Sequence, residues 1–105
     1  MAKIINISDK LSLEKPVIQV GEKQYVVDDS LATVLKFEEQ SDVGDTQGML
    51  ESMKVALGEA AYEELSFETM SFKNIQVWFF AVMAAMQDVD YEELEARFRK
   101  SQQNI

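Results

Sequence analysis

Three pairs of adjacent acids, Glu38-Glu39, Glu63-Glu64 and Glu92-Glu93, are the residues of this 105-residue chain best suited to acid–base or metal chemistry. Neighbouring residues on a helix point about 100° apart, so each pair makes a poor chelator and a poor two-carboxylate site. The stretch DVGDTQG, Asp42 to Gly48, begins like a calcium loop. Position twelve counted from Asp42 is Met53, where such a loop needs a bidentate glutamate. The chain holds no histidine and no cysteine. It therefore lacks the commonest general base and the best nucleophile, and with them Ser-His and Cys-His arrangements. Disulfides and thiolate metal sites are excluded as well. Gly21, Gly44, Gly48 and Gly58 are scattered, so no glycine-rich phosphate loop is present. These residues predict a protein that is not an enzyme and takes no metal or cofactor.

What remains is binding, and the stretch that raises it is VWFFAVMAAM, Val77 to Met86. A surface helix normally shows an apolar stripe and a polar face; this one has no polar face for nearly three turns. On a helical wheel Ile75, Phe79, Val82 and Met86 share one stripe, flanked by Met83 and Trp78, and that set is expected to face the core. Val77, Phe80 and Ala84 lie opposite, with Ala81 beside them. A second apolar face needs a second covering. Either the helix is central and the chain covers it, or Val77, Phe80, Ala81 and Ala84 form a partner-binding surface. Six methionines suit the second reading, because their flexible side chains adapt to apolar partners.

Charge narrows the partners. Nineteen acids against ten bases give a formal net charge of −9, which disfavours nucleic acid. Glu38 to Glu68 carries nine acids and one base, Lys54, whereas the last ten residues carry Arg97, Arg99 and Lys100 and no acid. One reading is solvated helix faces with a basic last turn that suits the helix dipole. The other is head-to-tail self-association, Arg97, Arg99 and Lys100 of one copy meeting acids such as Glu63 and Glu64 of the next.

The elements that position these residues divide at Asp28. Val17 to Val20 and Gln24 to Val27 are β-prone runs separated by Gly21-Glu22-Lys23, which predicts a hairpin over 16–27 opened by Pro16. Residues 29–100 carry helical patterns. Asp28, Asp29 and Ser30 are candidate caps for a helix whose stripe is Leu31, Val34 and Leu35, with Phe37 to one side. Ser41 to about Gly48 has loop chemistry. Met49, Leu50, Met53 and Leu57 then repeat at helical spacing. Gly58 is a C-cap or a short break before Ala61, Tyr62 and Leu65. Ser71 caps the next helix, with Met70 and Ile75 spaced as a hydrophobic staple. Asp90 and Glu93 form an acidic capping box for the last helix, with Val89 and Leu94 as staple and Tyr91, Leu94 and Phe98 along its face. Residues 101–105 are expected to fray. The leader, residues 1–15, carries Ile4, Ile5, Ile7, Leu11 and Leu13 and is an edge strand or an ordered arm. The expectation is a single α+β, mainly α domain: an N-terminal β-hairpin, then a bundle of four to five short helices. The leader has no signal-peptide run, and ten apolar residues are half a membrane span, so a cytoplasmic protein is expected.

The arrangement of DDSLATVLKFEE, LGEAAYEEL, SFETMSFKNIQVWFFAVMAAM and DVDYEELEARF after a hairpin resembles the tail assembly chaperones of long-tailed bacteriophages and their prophages, over roughly Leu11 to Lys100. The resemblance implies a small acidic helical protein in the bacterial cytoplasm, absent from the mature virion. It would coat an apolar helical tape-measure protein while tail-tube subunits polymerise. It also implies that a longer, frameshifted form reaches the tail-tube protein, this chain being the short form. No catalytic residues carry over. The competing reading, motivated by the acidic Glu38 to Glu68 span, is a regulatory protein or DNA mimic that inhibits a nucleic-acid-binding protein.

Overall fold

The computed structural model describes residues 2–41 and 46–103. Two strands, β1 (Val17–Val20) and β2 (Lys23–Val26), form an antiparallel hairpin, followed by helices α1 (Leu31–Ser41), α2 (Thr46–Leu57), α3 (Glu59–Leu65), α4 (Phe72–Gln87) and α5 (Tyr91–Gln103). The fold is thus mainly helical with an N-terminal hairpin. Single 3₁₀ turns occur at Ser8–Lys10 and Phe67–Thr69. No helix among the described residues is long and apolar enough to cross a membrane.

The hairpin turn is one residue tighter than the spacing suggests. Val20 pairs with Lys23, leaving Gly21 and Glu22 as the turn, and Gly21 takes φ 62°. Two-residue hairpin turns favour glycine at their first central position, because positive φ there matches the twist of the strands. The Val27 N–H donates to the Pro16 carbonyl at 2.9 Å, so the ladder extends one pair beyond β2. Ile18 and Tyr25 face each other across the register and point inward with Val27. The Asp28 N–H then donates to the Ala56 carbonyl at 3.0 Å, tying the strand end to the last turn of α2.

Ser30 is the cap the structure selects for α1. Its Oγ accepts from the Thr33 N–H at 3.4 Å. Asp28 supports it, accepting from the Ser30 N–H at 3.0 Å and from Thr33 Oγ1 at 2.8 Å. These bonds set the rotation of α1 and correct its expected stripe. Thr33 and Phe37 face the core, four residues apart, while Leu31 and Leu35 are exposed. The Ser30 N–H and then the Thr33 and Ser30 hydroxyls hold the Asp28 carboxyl below its ordinary value of 3.8. A carboxyl depressed in the folded state adds stability above its unfolded pKa and loses it as pH falls through the folded value. Melting temperature followed below about pH 4 should therefore fall more steeply for the wild type than for Asp28→Asn, which has no charge to lose.

Two boundaries shift. α1 runs through Ser41 and α2 begins at Thr46, so the expected loop shrinks; Asp42, Gly44 and Asp45 of the calcium-loop reading lie outside the described residues. Gly58 ends α2, its N–H donating to the Lys54 carbonyl, and also opens α3, its carbonyl accepting from Tyr62; φ 89° makes the break. Ser71 caps α4 as expected, its Oγ accepting the Asn74 N–H at 3.2 Å. At the far end Asp88 takes φ 56°. Its N–H and that of Val89 return to the carbonyls of Ala85 and Ala84, a Schellman-type close with aspartate in the left-handed position. At α5 the expected capping box is not made by Glu93, whose carboxylate pairs with Arg97 one turn on at 2.8 Å. The helix also continues to Gln103, past the point where fraying was expected.

The core threads through four rings. Phe67, fully buried in the 3₁₀ turn, tilts against Tyr62 of α3 at 5.4 Å and meets Trp78 of α4 edge-on at 5.7 Å. Trp78 in turn meets Tyr25 of β2 at 5.6 Å. Met53, Ala56 and Leu57 of α2 and Ile75 and Val82 of α4 complete it, and Phe37 stacks on Phe79 at 5.3 Å. Ser52, with no exposed surface, donates to the Gly48 carbonyl at 2.8 Å, which allows a hydroxyl in the core.

Candidate functional site: a trough along α4

Helix α4 carries apolar residues on both sides, and the structure gives each side a different neighbour. Ile75, Trp78 and Val82 are buried, with Phe79, Met83 and Met86 half-buried against the core. The opposite side is divided rather than open. Phe80 is half-buried beneath α5, its ring 4.9 Å from Phe98 and 6.5 Å from Tyr91. Ala84 is only 5% exposed. Of the two coverings the sequence left open, the chain supplies part of one: α5 folds back over Phe80, while Val77 stays 45% exposed. Burial also raises the Tyr91 phenol above its ordinary pKa.

Val77, Ala81 and Ala84 line a trough of two adjoining hollows between α4 and β1, Ala84 in one, Val77 in the other and Ala81 in both. Its first half, about 340 Å³, runs from Val17 and Ile18 past Ala81 and Ala84 to Asp88, Asp90 and Tyr91. Its second half, about 360 Å³, runs from Ile18 and Val20 past Ala81, Trp78 and Val77 to Met70 and Asn74. Ile18 and Ala81 line both, so the two halves adjoin each other along β1. Among the described residues, β2 lines neither half. The walls are mainly apolar, and acids stand at the Asp88–Asp90 end. The alanines make the trough: larger side chains at 81 and 84 would fill it. Spacing alone placed three of its residues on one face of α4. It did not reveal the opposite wall, Ile18 and Val20, because that wall comes from a strand some sixty residues away.

The charged residues of the head-to-tail reading are exposed, and most of them hold pairs within the chain. Arg97 pairs with Glu93 and Arg99 with Glu95 at 3.5 Å, both within α5. Glu64 pairs with Lys23 at 2.7 Å, a hydrogen bond that raises the Lys23 ammonium above its usual pKa. Glu63 and Lys100 are exposed. Exposed pairs of this kind are worth little each, but they leave less unbalanced charge for a neighbour. Comparisons with protein-family models, with curated proteins and with solved structures find no match to this chain.

Proposed function

We propose that this chain is a non-enzymatic tail assembly chaperone of the long-tailed bacteriophage type. It would act in the bacterial cytoplasm, self-associating and keeping an apolar helical tape-measure protein soluble. A longer frameshifted form would reach the tail-tube protein. The observation that carries the reading is the trough of Val77, Ala81, Ala84, Ile18 and Val20 on a protein with net charge −9. An apolar segment lowered into it leaves water, and the surrounding acids keep the complex dispersed.

Co-expression with a long apolar helical protein of the tape-measure class tests it. The client should stay soluble with the wild type and precipitate with Val77→Asp. Val77 is 45% exposed, and a substitution at such a position typically changes stability within about 0.5 kcal/mol. Loss of client solubility with an unchanged melt is the expected result. A client that is soluble alone, or equally soluble with Val77→Asp, would sink the proposal.

A further inference from the structure

The arm, residues 2–15, holds no strand and one 3₁₀ turn, Ser8–Lys10, and leaves its aliphatic side chains exposed. Ile5, Ile7, Leu11 and Leu13 fall on odd positions and Asn6, Ser8, Lys10, Ser12 and Glu14 on even ones, with Ile4 and Asp9 breaking the pattern. Partial alternation of this kind suits a strand with one face covered. Yet Ile4 is 90% exposed and Leu13 94%. Among the described residues, none before Ile18 belongs to the core or packs against it. The radius of gyration, 16.1 Å, exceeds the roughly 13 Å of a compact chain this long.

The same chain carries a site of matching shape and chemistry. Among the described residues β1 pairs only with β2, and its Ile18, Gln19 and Val20 line the apolar half of the trough. We propose that the arm of one copy lies along β1 in the trough of a second copy, its odd-numbered aliphatic side chains against Val20, Val77 and Ala81. Strand addition to a free edge supplies backbone hydrogen bonds, and the apolar wall supplies the driving force. Charge agrees: the arm carries Lys3, Lys10 and Lys15 against Asp9 and Glu14, while the chain as a whole has 19 acids to 10 bases and the trough ends at Asp88 and Asp90. The occupant is a second copy because the chain's own arm stands clear of the trough: Leu11 is 61% and Leu13 94% exposed, and neither lines it. Lys15, before Pro16, favours extended backbone that leads the arm onward. A contact of arm on one side and trough on the other is heterologous, and it builds open chains.

This inference does not depend on the nature of the client, but a client segment would compete with the arm for the trough. Two full-length variants test it: an arm variant, Leu11→Asp with Leu13→Asp, and a trough variant, Val77→Asp, with Val20→Asp as the alternative should Val77→Asp melt early. Light scattering should show the wild type growing in mass with concentration. Each variant alone should stay at the 12.0 kDa of one chain. Mixed in equal amounts, they should form a species of about twice that mass and nothing larger, because one intact arm meets one intact trough. A wild type that stays monomeric, an arm variant that associates like the wild type, or a mixture that forms no pair would each overturn the proposal. An arm variant that loses self-association while still keeping the client soluble would separate this contact from the client-binding proposal.

Discussion

Phe67→Ala should remove a large part of the protein's stability. Phe67 has no exposed surface and touches rings on α3 and α4 from a turn of three residues. Truncating a core phenylalanine typically costs about 3–5 kcal/mol, because the cavity left behind closes only in part. A chain of this size has about 5–15 kcal/mol in total. With each kcal/mol moving the melt by roughly 4–8 °C, the midpoint should fall on the order of 20 °C. Trp78 is the sole tryptophan and packs edge-on against Phe67, so its emission should shift to the red even below the melt. Met70→Ala, next to the same turn but half-buried, should cost visibly less. A melt within a few degrees of wild type for Phe67→Ala would mean that the ring chain does not hold the hairpin to the helices.

Phe67 also marks where the sequence was hardest to read. Helices α2 and α4 were legible because their apolar residues recur at 3.6-residue spacing, and the hairpin because β-prone runs flank a glycine. Phe67 lies in LSFETM, between two helices, where no period applies. Its burial follows from tertiary packing alone. The reversed stripe of α1 has a similar origin. Leu31 and Leu35 look like core, but the hydrogen bonds that Thr33 donates to Asp28 and Ser30 fix the rotation and turn Thr33 and Phe37 inward. The trough was half legible: its alanines share a helical face, but its strand wall required the fold. The arm's aliphatic residues are plain in the sequence. Whether the arm pairs within the chain is a tertiary question.

Phe80→Asp separates the two coverings of α4. Had the second apolar face been open, the change would cost little; had the helix been central, it would unfold the protein. The geometry places it between these. Phe80 lies against Phe98 and Tyr91, and α5 packs mainly on α4. A carboxylate there loses two ring contacts, each worth about 0.5–1.5 kcal/mol beyond the area they bury. It can still reach water, since Phe98 is 45% exposed. The expected outcome is that α5 lets go while the rest holds. Amide exchange should quicken across residues 91–103, and Trp78 emission should stay as in the wild type. Val82→Asp is the comparison: Val82 has no exposed surface, so the charge is buried unpaired, and the cost rises to several kcal/mol with loss of the whole fold. If Phe80→Asp leaves exchange in α5 unchanged, α5 does not cover this face, and Phe80 returns to the partner-binding surface with Val77, Ala81 and Ala84. If it melts as early as Val82→Asp, α5 is part of the single cooperative core rather than a lid upon it.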